Sequence, residues 1–269
     1  YVHFLPDTLE GSLKIPFFLK GIVKRYVFSF YNRMEHLVVV NPMFIEDLVA
    51  AGIPREKVTY IPNFVNKEKW HPLPAEQVAQ LRKEMDLAED QFVVIGAGKV
   101  QKRKGIDDFI RLAEELPEIT FIWAGGFSFG GMTDGYERYK KIMDNSPKNL
   151  IFPGIVSPER MRELYAMEDL FLLPSYNELF PMTILEAASC EAPIMLRDLD
   201  LYKVILDGNY RATSDVSEMR EAILEYKNDP EALKDLKEKA REISKEYSEE
   251  HLLEIWLKFY REQAALGKK

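Results

Sequence analysis

From Phe92 to Leu196 the chain alternates short apolar runs with amphipathic stretches, and that alternation leaves few folds open. Runs of strand length fall at 92–97, 119–124, 149–152, 169–173 and 193–196. Stretches with helical spacing lie between them at 105–116, 134–144, 158–166 and 181–190. Strands that alternate with helices at this spacing predict an α/β fold with a parallel, doubly wound sheet. The same pattern begins earlier, with a helix from about 16 to 34, a strand at 35–40, a helix at 43–51 ending at Gly52, and a strand at 57–61. Residues 67–87 read as a passage to the next domain, its regularity broken by Pro72 and Pro74. Residues 215–245 read as charged helix with structural duty. From 248 to 265, Leu252, Leu253, Ile255, Trp256, Phe259 and Tyr260 recur at helical spacing.

In such a sheet, ligands bind at the carboxyl ends of the strands. Lys99, Gly125-Gly126, Gly154 and Glu178 each follow a strand, so they are expected along one edge. Bare Rossmann-like sheets also carry glycines there, so the glycines alone do not specify a ligand. The segment Pro174 to Ala187 says more. It reads as strand end, turn and helix, with Pro181 suited to the first helical position and Glu178 and Glu186 framing the helix start. A helix N-terminus favours an anion, which two carboxylates would repel. A nucleotide sugar resolves the conflict: phosphates meet the helix end, and hydroxyls meet the carboxylates.

Upstream, Gly98 opens a loop in which Lys99, Lys102, Arg103 and Lys104 fall within six residues, with no acid among them. As a dinucleotide fingerprint the loop is broken, because Gln101 occupies the third glycine position. That opposes a nicotinamide-dependent dehydrogenase; as a P-loop the run also fails, because no Gly-Lys-Ser/Thr closes it. The plain alternative is a solvated charged turn. Coupled to the Glu178–Glu186 segment, the phosphate-binding reading is the stronger.

These two motifs resemble the retaining glycosyltransferases of family four, which have a GT-B fold of two Rossmann-like domains. Pro174, Ser175, Glu178, Phe180, Leu185, Glu186 and Ala187 match that family's Glu-x7-Glu motif. Leu179 and Pro181 replace its two usual glycines. Lys104 matches the family lysine, and Lys99 stands where arginine is usual, keeping charge without the bidentate fork. The variant motif, followed by residues 196–202, is similar to bacterial enzymes that add a hexose to a diacylglycerol glycolipid. The resemblance implies catalytic roles for His3, Lys99, Lys104 and Glu178. It implies donor contacts from Gly98, Lys99, Lys104, Gly126, Gly154, Phe180, Met182, Thr183 and Glu186, with Glu186 holding the nucleotide ribose. The donor would be a nucleotide diphosphate hexose such as UDP-glucose or UDP-galactose, without cofactor or metal, and the acceptor a membrane glycolipid. Asp198-Leu199-Asp200 spells a metal motif but follows the wrong strand, so it reads as coincidence.

The resemblance also divides the chain. Residues 1–72 would be part of an acceptor-side domain, 73–247 the donor domain, and 248–269 a helix crossing back. The opening Tyr1-Val2-His3 reads as the end of a strand entering a loop, so the N-terminal domain is expected to be truncated. A donor-binding fragment without activity is the alternative function.

Composition narrows the setting. The chain has 269 residues and a net charge of −8, against a general nucleic-acid binder. Its single cysteine, Cys190, excludes a disulfide framework and fits a reducing cytoplasm. Between Lys14 and Arg33, however, no acid occurs, while aromatic and aliphatic residues alternate with Lys20, Lys24 and Arg25. Such a helix suits an anionic membrane surface, with ordinary packing on a sheet as its alternative. The expected location is cytoplasmic, peripheral on the inner face of the cell membrane.

Overall fold

The computed structural model describes residues 1–6, 17–127, 130 and 135–266. The loop read at 7–12, residues 14–16 of the basic aromatic stretch, and the expected helix start at 134 lie outside the described residues. The elements run α1 (Phe17–Asn32), β1 (Leu37–Val39), α2 (Phe44–Ala50), β2 (Val58–Tyr60) and α3 (Ala75–Glu84). Then follow β3 (Val93–Ala97), α4 (Ile106–Glu115), β4 (Thr120–Ala124), α5 (Tyr136–Asp144), β5 (Leu150–Gly154), α6 (Pro158–Met167) and β6 (Leu170–Leu173). The last are α7 (Met182–Ser189), β7 (Ile194–Arg197), α8 (Asp200–Leu206), β8 (Arg211–Thr213), α9 (Val216–Asn228), α10 (Pro230–Glu246) and α11 (Glu249–Leu266). The chain forms two compact units. One comprises Tyr1–Phe64, Glu178–Pro181 and Tyr247–Lys269; the other comprises Val65–Asn177 and Met182–Glu246.

In the first unit, β1 and β2 pair in parallel, and Val2 bridges to Val39 alongside them. Successive residues of a strand face opposite sides, and the core follows that rule. Leu37 and Val39 pack with Tyr31, Phe44, Leu48 and Ile53, while Val38 packs with Ile61 and Leu252 of α11. Ile255, Trp256 and Phe259 of α11 cover the second cluster. The Tyr31 hydroxyl donates to the Phe4 carbonyl at 2.9 Å and ties α1 to the first residues. The other face of α1 is bare. Phe18, Ile22, Tyr26 and Phe30 are 76%, 65%, 73% and 52% exposed, and their spacing of four places them in one stripe.

In the second unit all six strands are parallel, in the order β5-β4-β3-β6-β7-β8. This is the doubly wound order, and it reverses direction between β3 and β6. Helices cover both faces, so the strands read as continuous apolar runs. One face carries Val94, Trp123, Leu172 and Met195 against Phe109 of α4 and Met219 of α9. On the other, Tyr165 of α6 meets Phe171 with ring centroids 5.6 Å apart.

Helix α3 lies where only a passage was expected. It is mostly exposed, with Leu81 its one buried residue, so it carries little apolar signal. Arg82 anchors it, donating to the Met167 carbonyl at 2.7 Å and pairing with Asp169 at 3.4 Å. Residues 215–245, read as charged helix, form two helices. Pro230 cannot extend α9, and the Asp229 carboxylate accepts from the Glu231 and Ala232 amides at 3.0 and 3.2 Å to start α10.

One buried group works against the fold. Glu168, at the end of α6, is 6% exposed, and neither carboxylate oxygen has a hydrogen-bond partner. Burial, then the charge of Asp169, pushes its carboxyl well above the usual range, against a smaller pull from Lys237. A carboxyl raised in the folded state stabilises most below its unfolded pKa, and that stability is lost as pH rises toward the folded value. Glu168→Met should therefore raise Tm, and the gain should widen from pH 5 to pH 8. For a domain of this size each ~1 kcal/mol corresponds to about 2–4 °C. Thermal unfolding at both pH values measures it; a gain that is the same at both would contradict this account.

Candidate active site

The carboxyl edge of the second unit's sheet is built from glycine backbone in register. Ala97 pairs with Ala124, and Ala124 with Gly154, so Gly98, Gly125 and Gly154 meet where three strands end. The Gly98 amide donates to the Ala124 carbonyl at 2.9 Å, and the Gly125 amide to the Gly154 carbonyl at 2.8 Å. Val100 N–H donates to the Gly126 carbonyl at 3.1 Å, and the Trp123 indole to the Gly98 carbonyl at 3.1 Å. A Cβ on Gly125 would sit 1.8 Å from the Gly98 carbonyl oxygen. The glycines let two loop backbones approach to a distance that any side chain would prevent.

The cation loop leaves this edge directly. Lys99 is exposed and Lys104 half-buried, with the Lys104 side chain lying over Gly98, its carbons 3.6 Å from where a Cβ would be. Lys102–Lys104 form one 3-10 turn, closed by Gly105 at φ +73°. A Cβ on Gly105 would fall 2.1 Å from the Pro174 carbonyl oxygen. Beyond β6, the Tyr176 amide donates to the Arg103 carbonyl at 2.9 Å, and the Arg103 guanidinium donates to the Asn177 carbonyl at 2.6 Å. The loop carrying Lys99 and Lys104 is thus bonded to the strand end that leads into Glu178, across the point where the sheet reverses.

Helix α7 begins at Met182, one residue later than expected, with Pro181 immediately before it. The first amides of a helix lack intrahelical partners, and here those of Met182 and Thr183 are in that position. The Thr183 hydroxyl is buried without a protein partner. Glu186 lies one turn on, half-buried. Burial raises its carboxyl above the ordinary range, while Lys69 and the Tyr165 hydroxyl oppose the shift. Sequence reasoning missed Lys69 and Tyr165, because neither belongs to a motif.

Gly98, Lys99, Lys104, Gly126, Gly154, Met182, Thr183 and Glu186 all belong to the second unit, while His3, Glu178 and Phe180 belong to the first. Glu178 is buried, Leu179 packs against the core around Val39, and the Phe180 ring meets Tyr247 at 6.0 Å. His3 is exposed and stacks on Tyr1 at 5.3 Å. Cys190 is buried, and burial, then the nearby Glu168, pushes its thiol up to about 12. It is an inert packing residue rather than a nucleophile. Asp198 and Asp200 both pair with Lys203, at 3.1 and 3.3 Å.

The switch point of a doubly wound sheet, where ligands of this class of α/β protein bind, here carries a cation loop and a helix N-terminus. The sequence pattern of the family described as Glycosyl transferases group 1 matches residues 77–243, and the chain belongs to that family of glycosyltransferases. It is 85% identical over its whole length to the alpha-galactosylglucosyldiacylglycerol synthase of Streptococcus pneumoniae, of which it spans 72%. Over 188 residues, 70% of this chain and 54% of the relative, it is 31% identical to the processive diacylglycerol alpha-glucosyltransferase of Acholeplasma laidlawii. Among solved structures, Anabaena HepE in complex with UDP and glucose superimposes with a TM-score of 0.77 at 18% identity, covering 89% of this chain and 66% of that one. Sucrose-phosphate synthase from Thermosynechococcus elongatus does so at 0.80 and 18%, covering 98% and 67%. These two likenesses establish the GT-B fold.

Two glycines test the edge geometry. Both Gly105 and Gly154 have φ in the left-handed region, +73° and +76°, but only Gly105 faces backbone within 4 Å. Gly154→Ala should cost about 1–2 kcal/mol, the left-handed penalty alone. Gly105→Ala adds a collision with the Pro174 carbonyl and should cost more than about 3 kcal/mol. Denaturant unfolding of the two variants compares them; equal losses would mean that Gly105 does not hold the strands together as described.

Proposed function

We propose that this chain carries out retaining transfer of a hexose, glucose or galactose, from UDP-hexose to a membrane glycolipid such as a glucosyl-diacylglycerol. The observation that carries the donor half is the bonded edge at the switch point, with Lys104 laid over Gly98 and the Arg103 loop tied to the segment before Glu178. The synthase activity that names the pneumococcal relative supports the acceptor half.

In this reading the bond between the sugar C1 and the diphosphate oxygen breaks, and C1 joins the acceptor hydroxyl oxygen on the same face. Lys99, Lys104 and the amides of Met182 and Thr183 stabilise the charge gathering on the leaving diphosphate. Gly98, Gly126 and Gly154 keep the edge open to the donor. Glu186 accepts from the ribose hydroxyls. Glu178 orients the donor sugar and favours oxocarbenium-like charge, Phe180 shapes the same segment, and His3 lines the sugar. The departing phosphate takes the acceptor proton, so no separate base is required.

Calorimetry with UDP tests the donor site. Lys104→Ala should weaken UDP by about 10-fold or more, the worth of a charge-assisted contact. Glu186 adds a pH signature. Ionised, it is the stronger acceptor and can take both ribose hydroxyls, and its raised pKa means it takes up a proton at higher pH than an exposed glutamate. UDP affinity of the unaltered chain should therefore fall on acidification more steeply than that of Glu186→Gln, the titration of UDP itself cancelling in the comparison. Parallel profiles would remove Glu186 from the ribose role.

The membrane is the second half of the proposal. Among the described residues no helix is long and apolar enough to cross a bilayer. Helix α1 instead offers the exposed Phe18–Ile22–Tyr26–Phe30 stripe beside Lys20, Lys24, Arg25 and Arg33. Aromatic side chains at the headgroup level with flanking cations suit an anionic leaflet. Co-sedimentation with anionic vesicles should fall as salt rises. Exchanging Lys20, Lys24 and Arg25 for Ser should abolish it while UDP still binds. Binding that is equal on neutral vesicles and insensitive to salt would contradict an electrostatic surface.

A further inference from the structure

Arg197 ends β7 and is 8% exposed, and each of its three guanidinium nitrogens has a partner. Its Nε donates to the Pro174 carbonyl at 3.1 Å and one terminal nitrogen to the Ser214 carbonyl at 2.8 Å. The other terminal nitrogen pairs with Asp108. The guanidinium also lies 4.1 Å from the centre of the Tyr176 ring, and the Tyr176 hydroxyl donates to the same Asp108 oxygen at 2.6 Å. Asp108 stands in the first turn of α4, directly behind the Lys104–Gly105 turn. Tyr176 stands two residues before Glu178. One cation therefore holds the ends of β6, β7 and β8 and the start of α4 in a fixed arrangement. Those are the elements from which the phosphate-binding loop and the acidic segment hang.

The arrangement is more than the sheet requires. Strand pairing already joins β6 to β7 and β7 to β8. No pairing fixes the loop 99–104 against residues 174–177, which lie beyond the strands. The Arg103 bonds and the Arg197–Asp108–Tyr176 cluster join them. Arginine is the side chain that can serve three acceptors in a plane while stacking on a ring; lysine keeps the charge and loses the fork and the stack.

We propose that Arg197 is a positioning residue for diphosphate recognition. Through Asp108 and Tyr176 it sets the distance between the cation loop and the segment that starts α7. This rests on the donor site being where the proposed function puts it. An error of about 1 Å in such a setting is enough to spoil phosphate contacts, whereas the ribose contact at Glu186, within α7, does not depend on it.

That asymmetry gives the test. Calorimetry measures UDP, and ligand-observed NMR titration measures uridine, on the full chain and on Arg197→Lys, Asp108→Asn and Tyr176→Phe. Arg197→Lys should weaken UDP by about 10-fold or more while uridine changes less than about 2-fold. Tyr176→Phe, at a half-exposed residue that leaves the core untouched, should show the same split at smaller size. It decides the matter if Arg197→Lys or Asp108→Asn does not fold. A purely structural role would lower Tm and leave the UDP-to-uridine ratio where it was, and either an unchanged ratio or an equal loss of both ligands overturns the proposal. If the unaltered chain binds uridine no less tightly than UDP, the donor-site reading itself is wrong, a result distinct from the failure of Arg197.

Discussion

The Pro174 carbonyl is the contact on which the donor-side geometry depends. It faces a glycine on one side and accepts from a buried arginine on the other. Strands in a parallel sheet fix each other only as far as their ladders run, and β3 and β6 pair through just Val94–Leu170 and Ile95–Phe171. Everything beyond them at the switch point must be held by other bonds. Gly105 allows the turn after Lys104 to approach the strand end, and Arg197 then fixes it. The switch point of the sheet, where ligands of doubly wound folds bind, is thereby given a fixed backbone frame.

Charge is distributed to match. The chain carries 44 acidic against 36 basic residues, yet the loop after β3 and the exposed side of α1 are basic. Many other cations are absorbed locally: Lys203 by Asp198 and Asp200, Arg241 by Glu191 and Glu238, Lys245 by Glu242. Exposed pairs of this kind add little stability. The runs Lys99–Lys104 and Lys14–Arg33 differ in that no acidic residue falls within either.

The alternation from Phe92 to Leu196 made the sheet legible because strands buried on both faces must be continuously apolar, and helices between them must be amphipathic. What the sequence hid has equally physical causes. Helix α3 buries one residue, so nothing in its pattern repeats. Helices α9 and α10 share one charged composition, and only Asp229-Pro230 separates them. Among candidate site residues, those within a loop or helix motif could be named through the family resemblance that the motif carries. Arg197, Asp108 and Tyr176 could not, since they lie 89, 68 and 21 positions apart in pairs and meet through the β3-β6-β7 order of the sheet. The signal available for Arg197 was its place at the end of an otherwise apolar strand, where a charge must find partners.

The two departures from the glycosyltransferase motif fit together. Pro181 supplies no amide, so α7 offers one donor fewer at its start than a glycine would allow, and its first helical residue is Met182. Lys99 in place of arginine gives up a bidentate contact at the facing loop. For the proposed diphosphate donor, both changes would weaken directional hydrogen bonding and leave point charge in its place. A site that relies on charge rather than on fork geometry is more tolerant of angle but more sensitive to distance, because Coulomb attraction in a partly dry cleft falls with separation and has no preferred direction. Distance between the cation loop and the helix start is what the Gly105–Pro174 contact and the Arg197 cluster control. The loss of directional donors and the strength of the clamp behind them are thus two sides of one design.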